Sequence, residues 1–284
     1  MSPSIDRKTV LITGTSTGIG LHTALHAARS GWQVIATMRD TARSTALVEL
    51  ARHDGVADHV EVRQLDVTDP ASVHRCVSGV VDDHGHLDAL INNAGAGHLG
   101  TLELEDIGEI RAVMEVNFFG VLEVTRAALP QLRAAHGRVL TVSSVGGVIG
   151  QPFNEAYCAA KFAVEGFMEA LAPVAAQTGV AVSVIEPGAV ASEFVANVGG
   201  REMLATNATG PYASALAAYR KRTEGAFANA QSPESAAQAI VEALDATDLP
   251  FRVQTSDTAR NFVAVKLSDL DGAKVQDMTS AWIG

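Results

Sequence analysis

The chain has 284 residues, 47% of them hydrophobic, and a formal net charge of -11. This acidic surplus repels phosphate and argues against nucleic acid or an anionic membrane surface as a partner. No run reaches the ~18 apolar residues that span a membrane, and the chain starts without the features of a secretory signal, so we expect a cytoplasmic location. The two cysteines, Cys76 and Cys158, form no C-x-x-C pair, and no metal site is predicted.

Short apolar runs alternate with longer amphipathic stretches along the chain. The runs predict strands at about 9–13, 33–38, 60–65, 88–92, 138–143, 181–186 and 250–254. The stretches predict helices near 18–30, 41–52, 70–83, 106–135, 155–178 and 233–245. Such alternation is typical of a parallel sheet covered by helices on both faces. The predicted fold class is α/β, with one doubly wound parallel sheet in a single domain over residues 1–284.

A glycine-rich turn, TGTSTGIG at residues 13–20, joins the first strand to the first helix. Gly14 permits a sharp turn, and Gly18 and Gly20 let the backbone approach a pyrophosphate. The free N–H groups at the start of the helix favour the same anion. The turn therefore predicts a dinucleotide site, with a simple hairpin or cap as the alternative for a glycine turn alone.

Tyr157 and Lys161 are four residues apart on a predicted helix, so both project into one cleft. A phenol can transfer a proton, and a nearby ammonium lowers its pKa from roughly 10. Ser144 lies 13 residues before Tyr157 and supplies a hydroxyl that can hold a carbonyl. The set predicts a hydride-transfer site, whereas the Tyr-x-x-x-Lys pair alone could be a solvated helix face. Pro173 is predicted to kink or shorten this helix after about Glu169.

Four further motifs follow in order: LDV at 65–67, NNAG at 92–95, Asn117, and Pro187 with Gly188. With the turn and the Ser144, Tyr157 and Lys161 set, they make the first 195 or so residues resemble the short-chain dehydrogenase/reductase family. Residues 137–169 resemble especially the branch of 17β-hydroxysteroid dehydrogenase type 1 and photoreceptor retinol dehydrogenases. This resemblance implies a Rossmann-type fold and an alcohol dehydrogenase or carbonyl reductase.

The implied substrate is a hydrophobic secondary alcohol or ketone. A steroid-like compound is the first expectation, and retinol, another lipid alcohol or a general carbonyl compound is the alternative. No histidine follows His136, whereas the steroid-specialised members use one in their lid. A nucleotide-sensing protein without chemistry is an alternative class, but such proteins typically lose the tyrosine or the lysine. A sugar-nucleotide epimerase or dehydratase is a further alternative, but these relatives usually have a longer substrate domain and a G-x-x-G-x-x-G turn.

The resemblance also implies roles. Tyr157 would be the general acid in reduction and the base in oxidation, Ser144 would bind the substrate oxygen, and Lys161 would hold the nicotinamide ribose and lower the tyrosine pKa. Asn117 would anchor a water that links Lys161 to solvent, and Asp66 would bind adenine or, alternatively, cap the next helix. The implied cofactor contacts are Gly14, Ser16, Thr17, Gly18, Ile19, Gly20, Arg39, Asp66, Val67, Asn93, Ala94, Gly95, Tyr157, Lys161, Pro187, Gly188, Val190 and Ser192.

Cofactor choice depends on the end of the second strand. Relatives that prefer NAD carry an acidic residue there, which binds the adenosine ribose and repels a 2′-phosphate. This chain has Met38 at that position, followed by Arg39, and a guanidinium pairs well with a 2′-phosphate. We expect NADP(H) to be preferred and NAD(H) to be possible, because Asp40 could neutralise the arginine.

The remaining expectations concern the outer parts of the molecule. Residues 188–232 are rich in Ala, Gly, Asn and Thr and are predicted to be a substrate lid, with a dimer contact or simple surface packing as the alternative. Residues 255–284 form a C-terminal extension that lines the pocket mouth or covers a neighbouring subunit. The resemblance implies a homodimer or homotetramer that pairs the helices at 106–135 and 155–178. The expected interface residues are Leu122, Arg126, Leu129, Phe162, Glu165, Phe167 and Glu169.

Overall fold

A computed structural model of the chain describes residues 7–193 and 210–273. Within these ranges the strands form one parallel sheet in the order β3-β2-β1-β4-β5-β6-β7. The strands are β1 (Thr9–Thr13), β2 (Gln33–Met38), β3 (Val60–Gln64), β4 (Ala89–Asn92), β5 (Arg138–Val142), β6 (Ala181–Glu186) and β7 (Arg252–Gln254). The strand order reverses between β1 and β4, and ligands bind at such a point in open parallel sheets.

Helices cover both faces of the sheet, which confirms the doubly wound arrangement. The described helices are α1 (Gly18–Arg29), α2 (Thr45–His53), α3 (Pro70–His84), α4 (Ile107–Met114), α5 (Gly120–Ala134), α6 (Glu155–Ala176), α7 (Ala213–Ala228), α8 (Pro233–Asp245) and α9 (Asp257–Ala264). On one face, α1, α2 and α8 pack on Val10 and Val34. On the other face, α3, α5 and α6 pack on Leu11 and Ile35. Neighbouring strand residues thus enter opposite cores.

The helix predicted at 106–135 contains a structural break. Residues Glu115–Phe119 form a π-helical turn between α4 and α5. A π-helical turn is wider than an α-helical turn and holds one additional residue. Such turns are frequent at functional sites. The break lies at Asn117, which the sequence analysis places in the site.

Pro173 does not shorten α6, which continues past this residue to Ala176. The predicted shortening is therefore wrong, and the predicted kink stays a prediction. A proline removes one backbone donor, but the neighbouring turns remain packed. Met168 and Ala175 are buried on the sheet, so tertiary packing holds the last turn in place. None of the described helices combines the length and apolar character needed to cross a bilayer.

The predicted lid and extension are described in part, since residues 194–209 and 274–284 lie outside the described residues. The two ends of the lid segment meet where Val190 pairs with Gln231. Between them, α7 is a helix that the sequence analysis did not predict. In the extension, α9 packs against Val145 and Val148, which lie just after Ser144 in the same chain.

Candidate active site

The functional motifs converge on one cleft of about 1050 Å³ at the carboxyl ends of the strands. All the predicted cofactor contacts line this cleft, together with Ser144. Asn117 is fully buried and stands behind the wall. The parallel sheet therefore brings together groups that are up to 178 residues apart in sequence, from Gly14 to Ser192.

Close packing fixes the shape of the glycine-rich turn. Gly14 has a φ of 72°, in the left-handed region that glycine tolerates. A Cβ on Gly20 would lie 2.2 Å from the Gly14 carbonyl oxygen and 2.3 Å from Asn93 Nδ2. Gly20 was expected to let the backbone approach a ligand, but its tightest contacts are within the chain. It allows α1 to start directly against the turn.

Asn93 holds this turn from the neighbouring strand. Its Nδ2 donates hydrogen bonds to the carbonyl oxygens of Thr13 and Gly14, both at 2.9 Å. The backbone N–H groups of Asn93 and Ala94 donate to Thr13 Oγ1 at 2.9 and 3.0 Å. The NNAG motif thus braces the dinucleotide turn as well as lining the cleft.

The start of α1 offers donors to an anion. Thr17 precedes the helix in an extended conformation and makes no side-chain capping bond. The first N–H groups of a helix have no partner inside the helix, and those of Gly18, Ile19 and Gly20 start at the cleft wall. The donor set fits a diphosphate.

The arginines at the end of β2 are suited to a phosphate. Arg39 and Arg43 line the cleft, are exposed, and their side chains make no ion pair among the described residues. Asp40 was a possible neutralising partner, but its Oδ1 accepts from the Ala42 N–H at 3.0 Å. Arg43 was not predicted from the sequence, because it follows Arg39 by four residues without a recognisable motif.

Asp66 is positioned by its own loop. Its Oδ1 accepts from the backbone N–H and the hydroxyl of Thr68, at 3.0 and 2.8 Å. The next helix is capped instead by Asp69, which accepts from the Ala71 N–H at 2.9 Å. The alternative that Asp66 caps α3 is therefore wrong, and its contact with adenine stays a prediction.

Tyr157 and Ser144 form the reactive corner of the cleft. Tyr157 is partly buried in the first turn of α6. Burial raises the pKa of Tyr157 to about 12, while a hydrogen bond with Ser144 acts in the opposite direction. The Ser144 hydroxyl also accepts from the Gly146 N–H at 3.0 Å, which fixes its position. The pKa of Tyr157 is thus raised overall, and its lowering by Lys161 stays a prediction.

Lys161 lies one turn further along α6 and is buried. Its Nζ donates to the Val142 carbonyl oxygen at 2.9 Å and lies 5.8 Å from the centroid of the Tyr157 ring. Burial lowers the pKa of Lys161 to about 8, and the charge of Glu165 acts in the opposite direction. Lys161 is therefore a cation at neutral pH and sits beside the proposed acid.

Asn117 connects the π-helical turn to the NNAG loop. Its Nδ2 donates to the carbonyl oxygens of Ala96 and Val113, at 2.9 and 3.0 Å. Its Oδ1 accepts from the Ala96 N–H at 3.1 Å. A Cβ on Gly95 would lie 2.9 Å from this oxygen and 3.7 Å from Lys161 Nζ. The Asn117 side chain thus braces the loop beside Lys161, and its implied water contact stays a prediction.

The substrate end contains a buried pair that the sequence analysis missed. His98 Nε2 lies 2.6 Å from Glu105 Oε2, and both side chains are buried. A Cβ on Gly100 would lie 2.2 Å from the Glu105 carboxyl group, so glycine makes room for it. Glu109 brings a third possible ligand atom within 4.8 Å. His98 and Glu105 satisfy each other directly, and the absence of a metal site stays a prediction.

Comparison with known proteins agrees with this geometry. Residues 8–203 match the model of the short chain dehydrogenase family. Retinol dehydrogenase 8 of Bos taurus is 37% identical over 276 residues, covering 94% of this chain and 87% of that protein. The 17-beta-hydroxysteroid dehydrogenase type 1 of Mus musculus is 36% identical over 275 residues, covering 95% and 79%. A solved short-chain dehydrogenase from Streptomyces avermitilis superposes with a TM-score of 0.77 and 30% identity, covering 98% of this chain and 97% of that one.

Proposed function

The chain belongs to the short-chain dehydrogenase family and is an oxidoreductase, and we propose that it interconverts a hydrophobic secondary alcohol and its ketone with NADP(H). One observation carries the proposal. Ser144, Tyr157 and Lys161 meet at one end of a cleft. Arg39 and Arg43, whose side chains make no ion pair within the described part of the chain, line its wall after β2. The cleft thus combines residues suited to proton transfer with two cations suited to binding a phosphate.

A nicotinamide dinucleotide fits the groups that line the cleft. The glycine turn and the start of α1 would hold its diphosphate, and Lys161 would hold the nicotinamide ribose. The bound nicotinamide supplies the hydride in reduction and accepts it in oxidation. Its adenosine half would lie along the carboxyl ends of β2 and β3, where Arg39, Arg43 and Asp66 line the wall.

In reduction, the chain holds the substrate and delivers one proton. The Ser144 hydroxyl donates a hydrogen bond to the carbonyl oxygen, and the Tyr157 hydroxyl gives that oxygen its proton as negative charge develops there. Lys161 stabilises the phenolate that remains. In oxidation Tyr157 takes the proton back. The raised pKa of Tyr157 keeps the acid form at neutral pH, which suits the reduction step.

The preference for NADP(H) is supported by charge. A 2′-phosphate adds negative charge on the ribose that a guanidinium can bind through two parallel hydrogen bonds. Neither Arg39 nor Arg43 has a competing carboxylate among the described residues. Met38, which precedes Arg39, also lines the cleft and has no carboxylate that would repel the phosphate.

The substrate class is supported by apolar residues that line the cleft. Leu99, Val145 and Phe227 offer apolar surface, and Tyr219 lies among them. The similar relatives are named for retinol and for a hydroxysteroid, and both compounds are extended and apolar. We propose a steroid-like substrate first and a retinol-like alcohol second.

We also propose that the protein is a homodimer or homotetramer that pairs its long helices. Phe119 and Phe167 are exposed on this surface, and their rings flank Phe118. The expectation that Glu165 lies at the interface is wrong, because its side chain is buried within the subunit. The cytoplasmic location stays a prediction from the sequence.

A substrate panel tests the proposed function. Steroids, retinoids and simple ketones are followed through reduced-nicotinamide absorbance with NADPH and with NADH. We expect the highest kcat/KM for an apolar cyclic or polyene substrate with NADPH. Cofactor binding without turnover of any substrate would favour the nucleotide-sensing alternative and contradict the proposal.

A further inference from the structure

Helix α6 carries a line of polar side chains away from the active site. Tyr157, Lys161, Glu165 and Glu169 are spaced by four residues, so they lie on one side of the helix. The first two line the cleft, and the Glu169 side chain is 25% exposed at the far end. Glu165 lies between them with a side chain only 8% exposed, and hydride transfer gives it no role.

Glu165 shares one guanidinium with a second buried carboxyl group. Arg252 Nε lies 3.6 Å from Glu165 Oε2 and 3.4 Å from Glu186 Oε1. Glu186 is fully buried, and its Oε2 accepts from Gln254 Nε2 at 2.9 Å. Arg252 also forms an ion pair with Glu169 through Nη2. Three carboxyl groups from α6 and β6 therefore face a single arginine on β7.

The pairing in this cluster is incomplete. Glu186 Oε1 and Arg252 Nε are buried without a hydrogen-bond partner among the described residues. The Ser143 hydroxyl is beside the Glu165 carboxyl group, and its hydrogen bond acts to lower the pKa of that group. Burying two ionised carboxylates against one guanidinium is unfavourable, and like charges at such a site oppose simultaneous ionisation. Burial and the Glu186 charge raise the pKa of Glu165 to about 8, and burial raises the pKa of Glu186 as well. One proton shared by Glu165 and Glu186 leaves a single carboxylate of this buried pair facing Arg252, which also pairs with the partly exposed Glu169.

The cluster is connected to the active site through Lys161. Glu165 follows Lys161 by one helical turn, and its charge raises the pKa of the ammonium that burial otherwise lowers. Gly147 packs closely on this region, because a Cβ there would lie 2.6 Å from Ser143 Oγ, 3.0 Å from Glu165 Cγ and 3.1 Å from the Lys161 carbonyl oxygen. The charged groups around Glu165 are Lys161 and Glu169 on α6, Glu186 on β6 and Arg252 on β7.

We propose that Glu165 is a positioning residue for Lys161: Glu165 and Glu186 hold one proton at neutral pH, and its release in alkaline solution leaves a carboxylate that keeps Lys161 in its ammonium form. The proton leaves to solvent, and no bond other than O–H changes. Lys161 then stays charged beside Tyr157 over a wider pH range than a lysine buried without a carboxylate. The kinetic part of this inference rests on the proposed dehydrogenase function.

The kinetic test compares pH profiles of kcat, with saturating cofactor and substrate, for wild type, Glu165→Gln, Glu165→Asp and Glu169→Gln. Glutamine copies the protonated acid but cannot ionise. We expect the fall of kcat at alkaline pH to begin at least about 0.5 pH unit lower in Glu165→Gln. Glu165→Asp should recover at least half of this shift. Glu169→Gln, which removes an acidic partner of Arg252 one turn further from Lys161, should shift by less than half as much.

A merely structural role for Glu165 would lower kcat by the same factor at every pH, and that result would overturn the proposal. An infrared measurement on wild-type protein is independent of turnover. We expect a band of a protonated carboxylic acid at pH 7 that weakens by pH 9 and is missing in Glu165→Gln or, if that variant does not fold, in Glu186→Gln. Absence of the band in wild type would contradict the shared proton. If wild type turned over no substrate, the proposed function would fail, and the band would still decide whether the pair holds a proton.

Discussion

Tyr157 is the residue on which the proposed chemistry depends most directly. Its hydroxyl bonds to Ser144, and its ring lies beside the Lys161 ammonium. Tyr157→Phe removes the proton donor and leaves the ring, so kcat should fall by ~10²- to 10⁴-fold. The Kd for NADPH, measured by fluorescence titration, should change little because the glycine turn remains.

Tyr219→Phe is the matched control for this variant. Tyr219 also lines the cleft, but its hydroxyl bonds to Asn154 on the substrate side. Its removal should affect KM more than kcat. If Tyr157→Phe kept more than about half of the wild-type kcat, or if both variants lost the same activity, Tyr157 would not be the proton donor.

Arg39 and Arg43 are expected to set the cofactor preference. Arg39→Ala with Arg43→Ala removes both cations from the adenosine end, and a hydrogen bond to a charged group contributes about 1.5–3 kcal/mol. KM for NADPH should therefore rise by about tenfold or more, with little change for NADH. Changing Met38 to an acidic residue is a poorer test, because Met38 is only 3% exposed and a carboxylate there would be buried.

Arg75→Ala provides the control for the arginine variants. Arg75 is exposed on α3 and does not line the cleft, so its removal should leave both KM values unchanged. A wild-type preference for NADH by tenfold, about 1.4 kcal/mol, would contradict the proposed preference before any variant is made.

At the level of elements, the glycine turn depends on a contact that only glycine permits. Gly20→Ala would place a Cβ 2.2 Å from the Gly14 carbonyl oxygen, and overpacking of this kind typically costs about 1–3 kcal/mol. Urea denaturation should show this loss of stability, and the Kd for NADPH should increase because α1 must shift. Gly166→Ala, also in a helix, has no atom within 4 Å of the new Cβ. The Gly166→Ala variant should instead have a free energy of unfolding up to about 1 kcal/mol higher than wild type. Equal effects of the two changes would contradict the packing argument.

The strands and the cleft residues were predictable because each depends on a local pattern. Runs such as Thr9–Thr13 are short, β-branched and buried, and parallel strands place their following loops at one edge of the sheet. Helix α7 escaped prediction because it lacks an apolar stripe. It is rich in alanine, and Leu216 is its one buried large hydrophobic residue among those described.

Long-range contacts account for the other differences. The π-helical turn depends on Asn117 reaching Ala96 across the loop, and its flanking sequence resembles any amphipathic helix. The burial of Glu165 was equally unpredictable, because in sequence it resembles an exposed helix residue. Its partners, Arg252 and Glu186, lie on strands that follow much later in the chain. Pairing across sequence distances of this size leaves no local signal.

At the scale of the whole molecule, the buried cluster makes stability depend on pH. The pKa of Glu165 is raised from 4.5 to about 8 in the folded protein, mainly by burial. The folded state then binds more protons than the unfolded state between about pH 4.5 and pH 8, so this group's contribution is present below pH 4.5 and is lost as pH rises through that window. Glu165→Gln should show a smaller fall in melting temperature between pH 5 and pH 8 than wild type. An identical fall in both proteins, measured by calorimetry, would show that Glu165 ionises normally.

Assembly is the remaining whole-molecule prediction. Phe119 is 46% exposed and Phe167 is 42% exposed, and their rings flank Phe118 with centroid distances of 5.1 and 6.1 Å from it. Large aromatic groups exposed together on two long helices favour burial against a second copy. Phe167→Glu would place a charge in that interface, so light scattering at micromolar concentration should change from a multiple of 29.6 kDa to the monomer mass. Leu50→Glu, at a 39% exposed position on α2, should leave the mass unchanged. A wild-type enzyme that is active at 29.6 kDa would exclude a role for this surface in assembly.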